Sequence, residues 1–189
     1  MPEQSSLEQL VQRGESQTLE FKKSLSLWRE GLKALCAMVN CDLARGMVIF
    51  GIKRDGTVCG IEQGNLDTAQ RSISQAIRSK FEPQLPAQIE VEELSGRTVL
   101  VLSAERYQGI AYYEYDGRAW IRQGTENRRL SLAEKQHLTR RRNRDTHSGP
   151  WKCDRCGALV GALYSYEVSD EGMKKTYKCK CGGEFWPAT

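Results

Sequence analysis

No apolar run in this chain approaches the roughly 20 residues that a membrane-spanning helix needs, so the sequence does not read as a membrane protein. The opening Met1-Pro2-Glu3-Gln4-Ser5-Ser6 lacks the basic start and apolar centre of a signal peptide, and a cytoplasmic location is the expectation. Internal repeats and low-complexity tracts are also missing, which excludes a repeat array or a compositionally biased segment. There is no Gly-x-x-x-x-Gly-Lys-Ser/Thr, and the stretch from Gly51 to Gly60 lacks the strand-to-helix setting of a phosphate loop, so ATP hydrolysis is not expected. Histidine is scarce: His137 and His147 both read as surface residues.

What remains is a chain of 189 residues, 39% hydrophobic and 28% charged, which is the profile of a soluble globular protein. That length suits one ordinary domain with a small appendage. The net charge of +4 is mildly basic, but Arg140, Arg141, Arg142 and Arg144 lie almost together. Those arginines either meet phosphates or form a solvated helix end that complements a helix dipole. The seven cysteines are uneven: Cys36, Cys41 and Cys59 are scattered and read as structural, whereas Cys153, Cys156, Cys179 and Cys181 form two close pairs.

The stretch from Gly14 to Lys23 organises the rest. Leu19 and Phe21 alternate with Thr18, Glu20 and Lys22, the period-2 pattern of a half-buried strand. Gly14 closes a short helix over residues 6–14, so Glu15 sits where the chain changes direction and can be aimed into a cleft. Glu15 and Glu20 beside Lys22 and Lys23 can hold a divalent cation near a phosphate, or can be a solvated strand face.

Helical spacing of Trp28, Leu32, Leu35, Cys36 and Val39 predicts a helix over about 27–40. Residues 46–52 are a continuous apolar run, expected as a strand buried on both faces, with Asp55-Gly56 turning back into a partner strand over 58–61. A helix over 66–80 stops at Pro83 and Pro86. Hairpins follow about Ser95-Gly96 and Asp116-Gly117, and Ser131 with Glu134 makes a capping box for a last helix that carries the arginine run. Hairpins mixed with helices, without strand-helix alternation, indicate an α+β fold with a mixed sheet and packed helices. The expected organisation is a domain over 1–145, a linker over 146–150 and a small domain over 151–189.

That last segment has too few aliphatic residues for a core of its own, which points to a metal staple. Cys153-x-x-Cys156 and Cys179-x-Cys181 offer four thiolates on two tight turns, the donor set of a structural Zn2+ in a zinc ribbon, with redox-active or unliganded cysteines as the alternative. Residues 163–168 and 173–178 are expected to pair as its connecting strands. Its Lys174, Lys175, Lys178 and Lys180 are interleaved with Tyr164, Tyr166, Tyr177 and Trp186, which either stack on bases or fill the ribbon's small core.

Taken in order, Gly14-Glu15-Ser16 to Glu20-Phe21-Lys22, Val48-Ile49-Phe50-Gly51-Ile52 to Asp55-Gly56 to Gly60-Ile61, and Ile121-Arg122-Gln123-Gly124 resemble the Schlafen AlbA-like domain over roughly residues 5–140. Glu134 and Leu138 also fit. The resemblance implies binding of RNA, transfer RNA included, or DNA, and in the Schlafen branch a metal-dependent endoribonuclease. Glu15 and Glu20 match the first two acids of that active site, with Mg2+ or Mn2+ as the ion, and Asp55 is the one acid available as the third. The chain departs from the family in carrying Lys53 and Arg54 where acids often follow the strand, and Val39-Asn40-Cys41-Asp42-Leu43-Ala44-Arg45-Gly46 in place of Ala-Asn-Thr-Gly-Gly. Both changes disfavour hydrolysis, while the added cations favour phosphate contact.

The leading expectation is therefore a nucleic-acid-binding protein using Lys22, Lys23, Lys53, Arg54, Arg122, Arg128, Arg129, Arg140, Arg141 and Arg142. The alternatives are a Mg2+- or Mn2+-dependent endoribonuclease and an adaptor whose zinc ribbon docks a protein. By analogy with two-lobed Schlafens, a homodimer would also fit.

Overall fold

A computed structural model describes residues 7–107, 109–145, 151–153, 155, 163–169, 172–178 and 185–187 of the chain. The fold is α+β and divides into a unit of Met1–Arg142 and a unit of Asn143–Thr189. In the first, the apolar run becomes strand β2 (Arg45–Phe50), whose alternate side chains enter two different cores. Strand β1 (Leu19–Lys22) pairs with it in parallel, Leu19 opposite Met47 and Lys22 opposite Phe50. A parallel pair needs a crossover, and helix α2 (Trp28–Val39) supplies it. Strands β5 (Arg97–Glu105) and β4 (Ala87–Leu94) extend the sheet antiparallel in the order β1-β2-β5-β4.

Val48, Phe50, Leu100 and Leu102 pack with α2 and helix α3 (Leu66–Lys80) in the larger core. Ile49, Val99 and Val101 join Leu19, Phe21 and Val11 of helix α1 (Leu7–Arg13) in the second. Close approach of α2 to the sheet depends on Gly31, where an added Cβ would meet the Phe50 ring at 2.5 Å.

A second sheet of order β3-β6-β7-β8 is built from Phe81–Glu82, Glu114–Tyr115, Arg118–Gln123 and Glu126–Arg129. Asn40, fully buried just past α2, ties the helix to this sheet: its amide donates to the Tyr113 and Trp120 carbonyls at 2.8 Å each and accepts from the Tyr113 N–H at 2.8 Å. Helix α4 (Leu132–Asp145) opens on the expected capping box, in which Glu134 accepts from the Ser131 N–H at 2.8 Å.

Three local expectations change. The return strand over 58–61 reduces to one bridge, Ile52 with Val58. Strands β3 and β8 form where the sequence reading predicts no strand. And β1 is not half-exposed, because Glu20 is buried along with its apolar neighbours.

The second unit contains strands β9 (Trp151–Cys153), β10 (Leu163–Ser169), β11 (Gly172–Lys178) and β12 (Phe185–Pro187). β10 and β11 pair antiparallel from Leu163 opposite Lys178 to Ser169 opposite Gly172, the connecting strands expected from the spacing, and β12 pairs with β9. Cys156, Cys179 and Cys181, and the side chain of Cys153, lie outside the described residues, and so does the zinc expectation. Among the described residues no helix is long and apolar enough to cross a membrane.

Candidate nucleic-acid interface

Strand β2 is followed by Gly51, whose φ of +97° is a left-handed conformation that favours glycine. There the chain folds back on β1: the Gly51 and Ile52 N–H groups donate to the Lys22 carbonyl at 2.7 and 3.2 Å. The Gly51 carbonyl accepts from the Cys59 and Gly60 N–H groups at 2.9 Å each, which closes the loop from Lys53 to Val58. This brings Lys53 and Arg54 beside Lys22 and Lys23.

The result is a cleft of about 450 Å³ lined by Glu15, Glu20, Lys22, Lys23, Lys53 and Arg54, with Leu27, Thr125 and Glu126 on its other walls. Six residues singled out in the sequence thus meet in one place. Lys23, Lys53 and Arg54 are exposed.

The two carboxylates are held by protein groups. Glu15 accepts from the Phe21 N–H at 3.0 Å and pairs with the Arg54 Nε at 3.3 Å. Glu20 pairs with Lys22 and, at 2.7 Å, with the fully buried guanidinium of Arg122. Arg122 also donates to the Ser16 carbonyl at 3.1 and 3.2 Å and to Asn127 at 3.0 Å. Asp55 lies outside the cleft lining: it is exposed in the turn and accepts from the Thr57 N–H at 2.9 Å. The backbone N–H and then the hydroxyl of Thr57 hold its carboxyl below the usual carboxylate range. Among the described residues no three His, Cys, Asp or Glu side chains gather to hold a metal ion.

Other expected contacts divide by burial. Arg122 and Arg142 are buried, so neither is presented to a phosphate. Arg142 donates to the Ala111 carbonyl and, at 2.7 Å, to the Asn40 carbonyl at the C-terminal end of α2. Burial pushes its pKa down to about 10. It therefore complements the dipole of another helix rather than its own. Arg141 pairs with Asp42 at 2.6 Å, Arg128 with Glu134 at 2.7 Å, and Arg140 is exposed. The guanidinium of Arg129 lies 5.4 Å from the Trp120 ring centre.

The sequence profile of the family described as "Schlafen, AlbA_2" matches residues 15–131, well over half of the chain. The chain belongs to this family. Among solved structures, the DIP2311 protein from Corynebacterium diphtheriae is 17% identical with a TM-score of 0.48, over 66% of this chain. This chain spans only 24% of that protein's length. The N-terminal domain of an ATP-dependent DNA helicase RecG-related protein from Nitrosomonas europaea is 22% identical with a TM-score of 0.42, over 62% of this chain and 86% of that one. No curated protein matches at a significant level.

The matched Schlafen AlbA_2 span contains the whole cleft, from Glu15 to Glu126. The altered Asn40-Cys41 stretch forms a buried joint: Asn40 bridges α2 to the second sheet, and the Cys41 thiol donates to the Arg122 carbonyl at 3.1 Å. Thr125 and Glu126 are cleft residues that the sequence reading passed over. Their one signal is Gly124, whose φ of +61° turns β7 into β8 at the end of the Ile121-Arg122-Gln123-Gly124 motif.

Proposed function

We propose that this chain binds nucleic acid, RNA of transfer-RNA type or DNA, through the cationic cleft between β1 and the loop after β2. Its family suggests a nucleic-acid-related role. The observation that carries the reading is the convergence of Lys22, Lys23, Lys53 and Arg54 on one cleft, with Lys23 and Lys53 in no ion pair among the described residues. Lysine and arginine there neutralise phosphates and release counterions, a contact that follows the backbone without reading sequence.

The test is fluorescence anisotropy of the purified chain with labelled transfer RNA and duplex DNA across a salt series. Replacing two of the three exposed cations, Lys53→Glu with Arg54→Glu, should weaken binding by about tenfold or more. It should also flatten the slope of log affinity against log salt by about 1.4–1.8, since each lost phosphate contact removes about 0.7–0.9. Absence of salt-sensitive binding would favour the adaptor reading instead.

The endoribonuclease reading keeps one observation in its favour, Glu15 and Glu20 in the same cleft. The three acids assigned to Mg2+ or Mn2+ do not fit that ion here. Glu20 is already neutralised by Arg122 and Lys22, Glu15 is bound to a backbone N–H and Arg54, and Asp55 caps its own turn. Transfer RNA incubated with the protein and manganese should show no cleavage that depends on Glu20. Cleavage abolished by both Glu20→Gln and EDTA would reverse this conclusion. We also propose that Cys153, Cys156, Cys179 and Cys181 hold a structural zinc, supported by the two close cysteine pairs of the sequence.

A further inference from the structure

Beyond the cleft, tryptophans and unpaired cations share the first turns of α2 and the β7–β8 hairpin. Leu27, which lines the cleft, immediately precedes α2, so the helix begins at the cleft wall. Trp28 follows, with the Arg29 guanidinium 4.4 Å from its ring centre. One turn on, the Lys33 ammonium lies 4.0 Å from the Trp120 ring centre, and Arg129 reaches the same ring at 5.4 Å. Trp120 and Arg129 are directly opposite in the β7–β8 pairing, and Arg29 and Lys33 are four residues apart on one helix face. Both indoles are half-buried, one part packed against the larger core. Among the described residues, none of Arg29, Lys33 and Arg129 has a carboxylate partner.

We infer that this surface is a second contact for nucleic acid, taking unpaired bases of a single strand whose backbone enters the cleft; it rests on the nucleic-acid reading above. Every base has a π face, so the indole on β7 stacks bases without selecting among them once the Lys33 ammonium, which lies over its ring, moves to a flanking phosphate. A duplex keeps its bases stacked on one another and offers nothing to Trp120. The stacking share of the affinity therefore goes to single strands, while the cations meet phosphates of either form.

The test uses the full chain with labelled oligo-uridine and with a labelled duplex, comparing wild type with the Lys33→Glu/Arg129→Glu variant. Thermal melting checks its fold, and Lys33→Gln/Arg129→Gln replaces it if charge reversal unfolds the protein. Affinity for the single strand should fall by about tenfold or more, and that for the duplex by clearly less. A 5-iodouridine strand should photocrosslink to Trp120 or Trp28 in wild type. Unchanged single-strand affinity, equal loss on the duplex, or crosslinks at neither tryptophan would overturn the inference while leaving the cleft reading intact. Wild-type protein that binds neither probe would overturn both.

Discussion

Arg122 and Lys53 were both expected to contact phosphate, and the structure gives them opposite work. Arg122 sits under β1 with its guanidinium spread over Glu20, Ser16 and Asn127. Removing it leaves the mostly buried Glu20 carboxylate with Lys22 alone, and breaking a buried pair on one side is costly. Arg122→Ala should destabilise the protein by about 3–5 kcal/mol in urea unfolding. Lys53 is exposed and has no ion-pair partner among the described residues, so Lys53→Ala should change stability by no more than about 0.5 kcal/mol. A large effect of Lys53→Ala on folding, or none of Arg122→Ala, would mean that the two cations have been assigned the wrong way round.

Helix ends explain much of the remaining charge. The C-terminal carbonyls of α2 take donors from outside the helix: Arg106 reaches Val39 and Cys41 at 3.1 Å, and Arg142 reaches Asn40 at 2.7 Å. At the start of α4, Glu134 meets Arg128 as well as the Ser131 N–H and hydroxyl, and these partners, Arg128 foremost, lower its pKa from 4.5 to about 2. A carboxyl with a depressed folded value stabilises the protein above its ordinary value and loses that contribution as it protonates. The wild-type advantage over Glu134→Gln in urea midpoint should therefore be full above pH 4.5 and shrink as pH falls toward about 2. The group is partly exposed, so salt should reduce the effect as well.

At the scale of the whole molecule, the two units have different sources of stability. The first has two hydrophobic cores on opposite faces of one sheet, and a third cluster of Ala119, Leu130 and Leu138. The second has short paired strands and too few aliphatic residues to match them, which is the physical case for a metal. Elemental analysis of the purified chain should find about one zinc per molecule. Strong chelation, or Cys156→Ser with Cys179→Ser, should expose the region after residue 145 to protease while leaving the Schlafen AlbA_2 span resistant. Zinc-free protein with an equally resistant C-terminal region would reject the staple.

Local pattern was enough for much of this. Helical spacing placed α1, α2 and α3, period-2 spacing β1, a continuous apolar run β2 and the Ser95-Gly96 turn the β4–β5 hairpin, all of them local signals. The order of the motifs was enough for the family. The cleft was half legible: Glu15, Glu20, Lys22 and Lys23 form one run in sequence, and Lys53 with Arg54 could be suspected beside them. Tertiary structure decided which charges remain available. Arg122, Arg128 and Arg129 look alike in sequence, yet pairing along β7 and β8 buries the first, ties the second to Glu134 and lays the third against Trp120. Burial and partner distance are long-range properties, set by elements a hundred residues apart, such as Ser16 and Arg122. No local spacing encodes them.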